Sequence, residues 1–401
     1  AVQLAPRSGD QWVIGEGCLI TAHYTMASRS HVSARRSLNT SWLQEFSSLC
    51  PYTLSVVPLL GFWLWALTKK RFSERGFFAA VILSAFVLKG LPLELFPVTA
   101  KRSDMLPILY ESGTKLLQWD NPYQYYLLDN GVQTLNVRFP GLILAYLPAV
   151  AVGFDLRWIT LGYEFVFWTV VGLFAFPSRN LALPNHGLLA VLSVFVLLPY
   201  WHYRHELYEI PFWVALFATL YALHRGAVTA FTIGLGLLIA THQWGCLFWP
   251  FFLVFVMRKQ GWKPAIYSGL GSIILGSAVF FIVTGVNFLD FYEHTFSTYK
   301  RIIANEEVYP MSMYLTPYVV KLISASSLLL LQAFLQVMLL IVAFHMNNSL
   351  SALCGIAALS LITQLLFNPV GWTYQYLLVV NLLILGSVFR AGAENQPEPS
   401  P

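Results

Sequence analysis

Residues 264–284 read PAIYSGLGSIILGSAVFFIVT, an apolar run without Asp, Glu, Lys or Arg that follows Trp262 and Lys263. A helix of about 20 residues rises about 30 Å, the thickness of a bilayer's hydrocarbon core. Runs of similar character recur near 52–68, 77–97, 140–154, 157–176, 185–200, 208–224, 227–241, 244–257, 318–345, 349–369 and 372–390. A water-soluble interior cannot absorb so many. The expected fold class is therefore all-α, a polytopic transmembrane helical bundle of about 10–12 spans, because backbone groups in lipid must be satisfied within each segment. Within the opening run, Ser268, Ser272 and Gly276 recur every fourth residue and form a small-residue ridge that lets helices approach closely.

Composition agrees, with 57% apolar residues, 11% charged residues and a mean hydropathy of +0.62, well outside soluble usage. The net charge of +5 is small for 401 residues, so the basic excess orients loops and excludes a nucleic-acid partner. Cys18, Cys50, Cys246 and Cys354 lie far apart, which argues against a disulfide framework or a zinc site. Residues 1–51 are polar and expected to be disordered, 52–390 form the membrane domain, and 391–401 are a disordered tail.

Basic clusters at Lys69, Lys70, Arg71 and Arg75, and at Arg258, Lys259 and Lys263, mark cytoplasmic loops, with Arg225 and Arg390 in agreement. Threading from them puts loops 98–137 and 285–317 on the outer side. Three runs then lie between 138 and 200 where an even number is needed. Run 140–154 is the one expected not to span, because 15 residues rise only about 22 Å and Pro140 and Pro148 interrupt it.

Loop 98–137 gathers Lys101, Arg102, Asp104, Glu111, Lys115, Asp120 and Asp129. Met105, Ile108, Leu109, Ser112 and Leu116 follow helical spacing and predict a surface helix whose first turn carries Asp104, either as a reactive carboxylate or as a helix cap. Loop 285–317 repeats the design, with a stripe of Leu289, Tyr292, Phe296 and Tyr299 beside Lys300 and Arg301. Two such amphipathic helices on one side can frame a cleft. Lys89, inside an apolar run, is expected to snorkel or to meet Glu94 in a structural role.

Arg102-Ser103-Asp104, then Tyr110, then Trp119-Asp120-Asn121-Pro122-Tyr123, then Arg138-Phe139-Pro140 opening an apolar run resembles the first outer loop of the GT-C superfamily. The nearest branch is the bacterial polyprenyl-phosphate-mannose-dependent mannosyltransferases. Looser likeness follows at Arg204-His205, at His242-Gln243, which stands where relatives often carry Lys, and at Trp372-Thr373-Tyr374-Gln375-Tyr376.

The resemblance implies a GT-C-like membrane glycosyltransferase, sited in the bacterial inner (plasma) membrane and active on its extracytoplasmic side. It implies a polyprenyl-phosphate sugar as donor, mannose-linked by that resemblance, and a glycan, lipid or protein acceptor. It further implies that Asp104 is catalytic and that Arg102, Tyr110, Asn121, Tyr123, Arg138, Arg204, His205, His242, Gln243, Lys300, Arg301, Trp372 and Tyr376 bind the donor phosphate or substrate.

Inverting transfer needs one base to take the acceptor's proton, and an aspartate is ionised at neutral pH and able to do so. The departing lipid phosphate calls for cationic donors, for which Arg138, Arg204, His205, Lys300 and Arg301 are the candidates. No carboxylate cluster dictates a divalent metal, so metal dependence stays open, and the polyprenyl-phosphate sugar is the donor the reaction requires. The rival reading is a transporter or lipid flippase, a class in which internal repeats and midplane polar sites are common. A third is a non-catalytic subunit.

Overall fold

The structure, a computed structural model, describes residues 61, 74–95, 98, 105–129, 131, 133–176, 186–197, 209–285, 288–297, 315–319, 322–368 and 375–394. In chain order these form α1 (Glu74–Leu95), α2 (Met105–Leu117), strands β1 (Tyr125–Leu127) and β2 (Gln133–Leu135), α3 (Pro140–Ala151), α4 (Leu156–Ala175), α5 (His186–Leu197), α6 (Ile210–His224), α7 (Val228–Thr241), α8 (Gln243–Gln260) and α9 (Trp262–Thr284). After them come α10 (Phe288–Tyr292) running into a π-helical turn (Glu293–Ser297), α11 (Thr316–Val319), α12 (Ala325–His345), α13 (Leu350–Phe367) and α14 (Tyr376–Glu394). The fold is all-α apart from one antiparallel ribbon, in which Tyr126 faces Thr134.

Four described helices are long and apolar enough to cross a membrane: Leu156–Ala175, Trp262–Thr284, Ser327–His345 and Leu350–Phe367. The third buries only 11% of its apolar window, leaving Leu330 and Phe334 bare. In water such a face would be an aggregation surface; a lipid environment accommodates it.

Helix ends sort by charge. At one end, Arg75 at the start of α1 bonds Phe176 O just past α4, Phe174 of α4 packs on His224 of α6 and Phe389 of α14, and Arg258 at the end of α8 bonds Met346 O just past α12. Of the basic residues that sequence reading assigned to one side, Arg75, Arg225, Arg258 and Arg390 thus gather at a common end, while Lys69, Lys70 and Arg71 lie outside the described residues. At the opposite end lie the close of α1, the start of α4, the α7–α8 junction and the close of α9.

Helix α3 keeps both termini at this second end. Its start abuts Ala240 and Thr241 at the close of α7, and its end packs Val150 on Gly113 before the chain turns to Asp155 beside Leu93. At 12 residues it rises about 18 Å, short of a crossing. Helix α2 buries Ile108, Leu109 and Ser112, on the predicted stripe, but it lies on α3 rather than only along a surface.

Close helix approaches occur where side chains are small. The Ser268/Ser272/Gly276 ridge of α9 meets α7 and α8: Thr232 donates to Ser268 at 3.1 Å, Trp249 Nε1 to Ser272 at 3.0 Å, and Gly276 abuts Ile239. Helices α1 and α4 interlock through Phe78 over Gly172 and Trp158 over Gly90. Between these notches Lys89 Nζ reaches Glu164 Oε1 at 2.5 Å, both side chains almost wholly buried, and Trp168 Nε1 donates to the same oxygen at 3.2 Å. Lys89 therefore does not snorkel; the side chain of Glu94 lies outside the described residues. Burial without an opposite charge is costly, and Glu164 supplies that charge from the neighbouring helix.

Candidate functional site

The two loops expected to frame a cleft do meet. Asn121, in the turn after α2, accepts the Tyr123 amide on Oδ1 at 2.8 Å and donates from Nδ2 to Asp290 Oδ2 of α10 at 2.7 Å. Beneath this bond Tyr123 packs edge-on against Phe291 with ring centres 5.0 Å apart, and donates its hydroxyl to Arg138 O at 3.0 Å. Tyr123 is 1% exposed. Its ring and hydroxyl are committed to the scaffold, and both polar ends of the Asn121 amide are engaged, so these two residues position the loops rather than face a ligand.

The turn between them is rigid for local reasons. Lys115 Nζ pairs with Asp120 at 2.9 Å, Asp120 accepts the Asn121 amide, and Gln124 Nε2 donates to Asn121 O. The Lys115 hydrogen bond, then the Asn121 amide, holds the Asp120 carboxyl below its ordinary range. Asn136 completes the frame, donating to Pro122 O and accepting the Arg138 amide.

From Arg138 the frame continues inward. Phe139 touches Phe280 of α9 and Phe291 of α10 and lies parallel to the His242 ring at 6.5 Å. His242 caps α8 by accepting the Trp244 amide on Nδ1, and its Nε2 sits 3.5 Å from Glu209 Oε1. Gly141 permits this convergence, since a Cβ there would stand 2.9 Å from the Ala240 backbone. Asn121, Tyr123, Arg138 and His242, separated in sequence, thus share one connected cluster. Gln243 follows as the first residue of α8. Tyr376 opens α14, which packs on α13, α4 and α5.

Arg102, Asp104, Arg204, His205, Lys300, Arg301 and Trp372 lie outside the described residues. Beside α2 opens a cleft of about 630 Å³, within the range of small-molecule sites. Val98 and Leu106, described residues on either side of position 104, both line it. Its polar lining comprises Tyr110, Glu111, Asp129, Asp155 and Arg157. Arg157 is buried and held by Asp155, with Nη2 at 2.5 Å and Nε at 3.0 Å from Oδ2, while Nη2 also donates to Leu93 O at 2.7 Å. Among the described residues no group of three potential metal ligands occurs.

Asp290, Glu209 and the Asp155–Arg157 pair were not singled out from the sequence. Only Asp290 carried a signal, as an acid within an aromatic stretch of the second outer loop. No family model matches the chain, and neither a curated protein nor a solved structure does.

Proposed function

We propose that this chain is a membrane glycosyltransferase with a GT-C-like fold of about 10–12 spans, placed in a bacterial inner membrane with its site facing outward. It transfers a hexose, mannose by family likeness, from a polyprenyl-phosphate donor to an extracytoplasmic acceptor in one inverting displacement. The observation that supports this reading best is the 630 Å³ cleft bordered by residues on both sides of Asp104, at the bundle end opposite the basic termini.

In this reading the Asp104 carboxylate takes the proton of an acceptor hydroxyl as that oxygen bonds to the anomeric carbon. The bond from that carbon to the phosphate oxygen breaks, and the lipid phosphate leaves with the electron pair. Arg138 and the cationic pair Lys300 and Arg301 are the groups proposed to receive its charge. Asn121 and Asp290 hold the loops that carry them.

A transporter or flippase is the second reading, favoured by the buried Lys89–Glu164 pair, since ionisable residues inside a helical bundle commonly mark a transport path. Proteoliposomes containing the chain, a radiolabelled polyprenyl-phosphate mannose and a mixed glycan acceptor pool separate the two. Label entering the acceptor supports the transferase. Solute or lipid movement without any transfer supports the transporter.

A further inference from the structure

Two turns at the basic end of the bundle lie against each other. Residues 225–227 join α6 to α7, and Gly261 alone joins α8 to α9. Gly226 turns at φ +68° and Gly261 at φ +96°, and the Cβ direction of Gly226 points at Gln260 Nε2, 4.0 Å away. Cations crowd this contact. Arg225 closes α6, Lys259 lies in the last turn of α8 and Lys263 in the first turn of α9, and all three are exposed. The charges of Lys259 and Arg225 both act on His224 at the end of α6. Arg258 is committed elsewhere, to Ala343 O and Met346 O.

In this part of the chain the sequence supplies no counter-charge, since residues 210–289 contain neither Asp nor Glu. Among the described residues no carboxylate forms an ion pair with Arg225, Lys259 or Lys263. The undescribed stretches 62–73 and 177–185, next to the start of α1 and the end of α4, carry Lys69, Lys70, Arg71 and Arg179 and no acid. On α14, whose Phe389 packs on His224, Arg390 and Glu394 offset each other in number.

Beyond the cations the surface turns apolar. Tyr267, Leu270 and Ile274 follow Lys263 at helical spacing on α9, and all are more than half exposed, so one face runs from a charged head into a bare apolar stripe. Trp262, also exposed, lies beside Lys263 with its ring centre 5.8 Å from Nζ, as aromatic side chains do at headgroup level. A free anion would use only the head of this face; a molecule with an anionic head and an acyl tail uses all of it.

We propose that the two turns hold the phosphate of an anionic phospholipid, contacted by Arg225, Lys259 and Lys263, with an acyl chain laid along Tyr267, Leu270 and Ile274. Cations at the ends of membrane helices attract such headgroups, and these three lose none of that attraction to a described acid. The site stands under either functional reading, because it lies at the end of the bundle away from the proposed chemistry.

The test is native mass spectrometry of the full chain, titrated with phosphatidylglycerol and with phosphatidylcholine of the same acyl chains, and with inorganic phosphate as the free anion. Phosphatidylglycerol binds about tenfold more tightly than phosphatidylcholine, and the ratio shrinks as ammonium acetate is raised. Combining Arg225→Gln, Lys259→Gln and Lys263→Gln brings the ratio to about one, whereas Lys259→Arg with Lys263→Arg keeps it. Lys263→Gln alone lowers it about threefold, so the test does not depend on the triple variant. All three positions are exposed, and melting curves confirm that the variants fold. Equal affinity for the two lipids in the parent, or a preference that survives the substitutions, overturns the proposal. Displacement of the lipid by millimolar inorganic phosphate overturns it too, in favour of a free-anion site.

Discussion

Asn121 Nδ2 donates to Asp290 Oδ2 at 2.7 Å across 169 residues of sequence, and this bond ties the turn after α2 to α10. Around it Tyr123, Phe139, Phe280 and Phe291 form one aromatic cluster, so the polar clamp sits on an apolar base.

The clamp predicts energetic coupling. Asn121→Ala and Asp290→Ala each lower the melting temperature in detergent, and a double-mutant cycle returns an interaction of about 0.5–3 kcal/mol. Additive losses would mean that the two loops are held by the aromatic base alone.

The Lys89–Glu164 pair predicts an asymmetry. Removing one partner, as in Lys89→Met, strands a buried charge and costs about 3–5 kcal/mol, whereas Lys89→Met combined with Glu164→Leu is close to neutral. Chemical or thermal unfolding of the three proteins measures this. A double variant as unstable as the single ones would show that the pair does more than neutralise itself.

Gly245 and Gly355 predict opposite responses to alanine. A Cβ at Gly245 would stand 2.2 Å from Leu238 O, a backbone atom that cannot move aside, so Gly245→Ala destabilises by about 1–3 kcal/mol or more. Gly355, in α13, has open space around its Cβ direction, and Gly355→Ala is neutral or stabilises by up to about 1 kcal/mol. Melting curves distinguish the two.

His294, in the π-helical turn against Tyr125, has its pKa lowered by burial, with Asp290 and Glu293 opposing the shift. Because the unfolded chain takes up that proton first, this group contributes stability that is present above the ordinary histidine pKa of 6.5 and lost as pH falls through the lowered folded value. His294→Phe therefore flattens the fall in melting temperature between neutral and mildly acidic pH, and Asp290→Asn steepens it. An unchanged slope in His294→Phe would remove this residue from the account.

Much of the architecture could be read before any coordinates, and the reasons are local. The stripe of Ile108, Leu109 and Ser112 betrays α2 because helical spacing is written in adjacent residues. Pro140 opens α3 as its sequence position suggests, whereas the interruption expected at Pro148 does not occur, since the helix runs through it to Ala151. The pairings Asn121–Asp290, His242–Glu209 and Lys89–Glu164 were not legible, because each joins elements distant in the chain and depends on which helix faces which. Glu164 did offer a hint, as a lone acid in an apolar run. Such a group needs an opposite charge, and Lys89 stands in another apolar run. Asn121 and Tyr123 were singled out through the resemblance to the GT-C first outer loop, and their work as scaffold appears only once their partners are known.

The central claim is that Asp104 is the base of a sugar transfer. Its most direct test is the initial rate of label transfer from polyprenyl-phosphate mannose by reconstituted Asp104→Asn against the parent, at matched protein abundance and melting temperature. Loss of about 10²–10⁴-fold, the usual contribution of a positioned base, is the predicted result; transfer at the parent rate would contradict it.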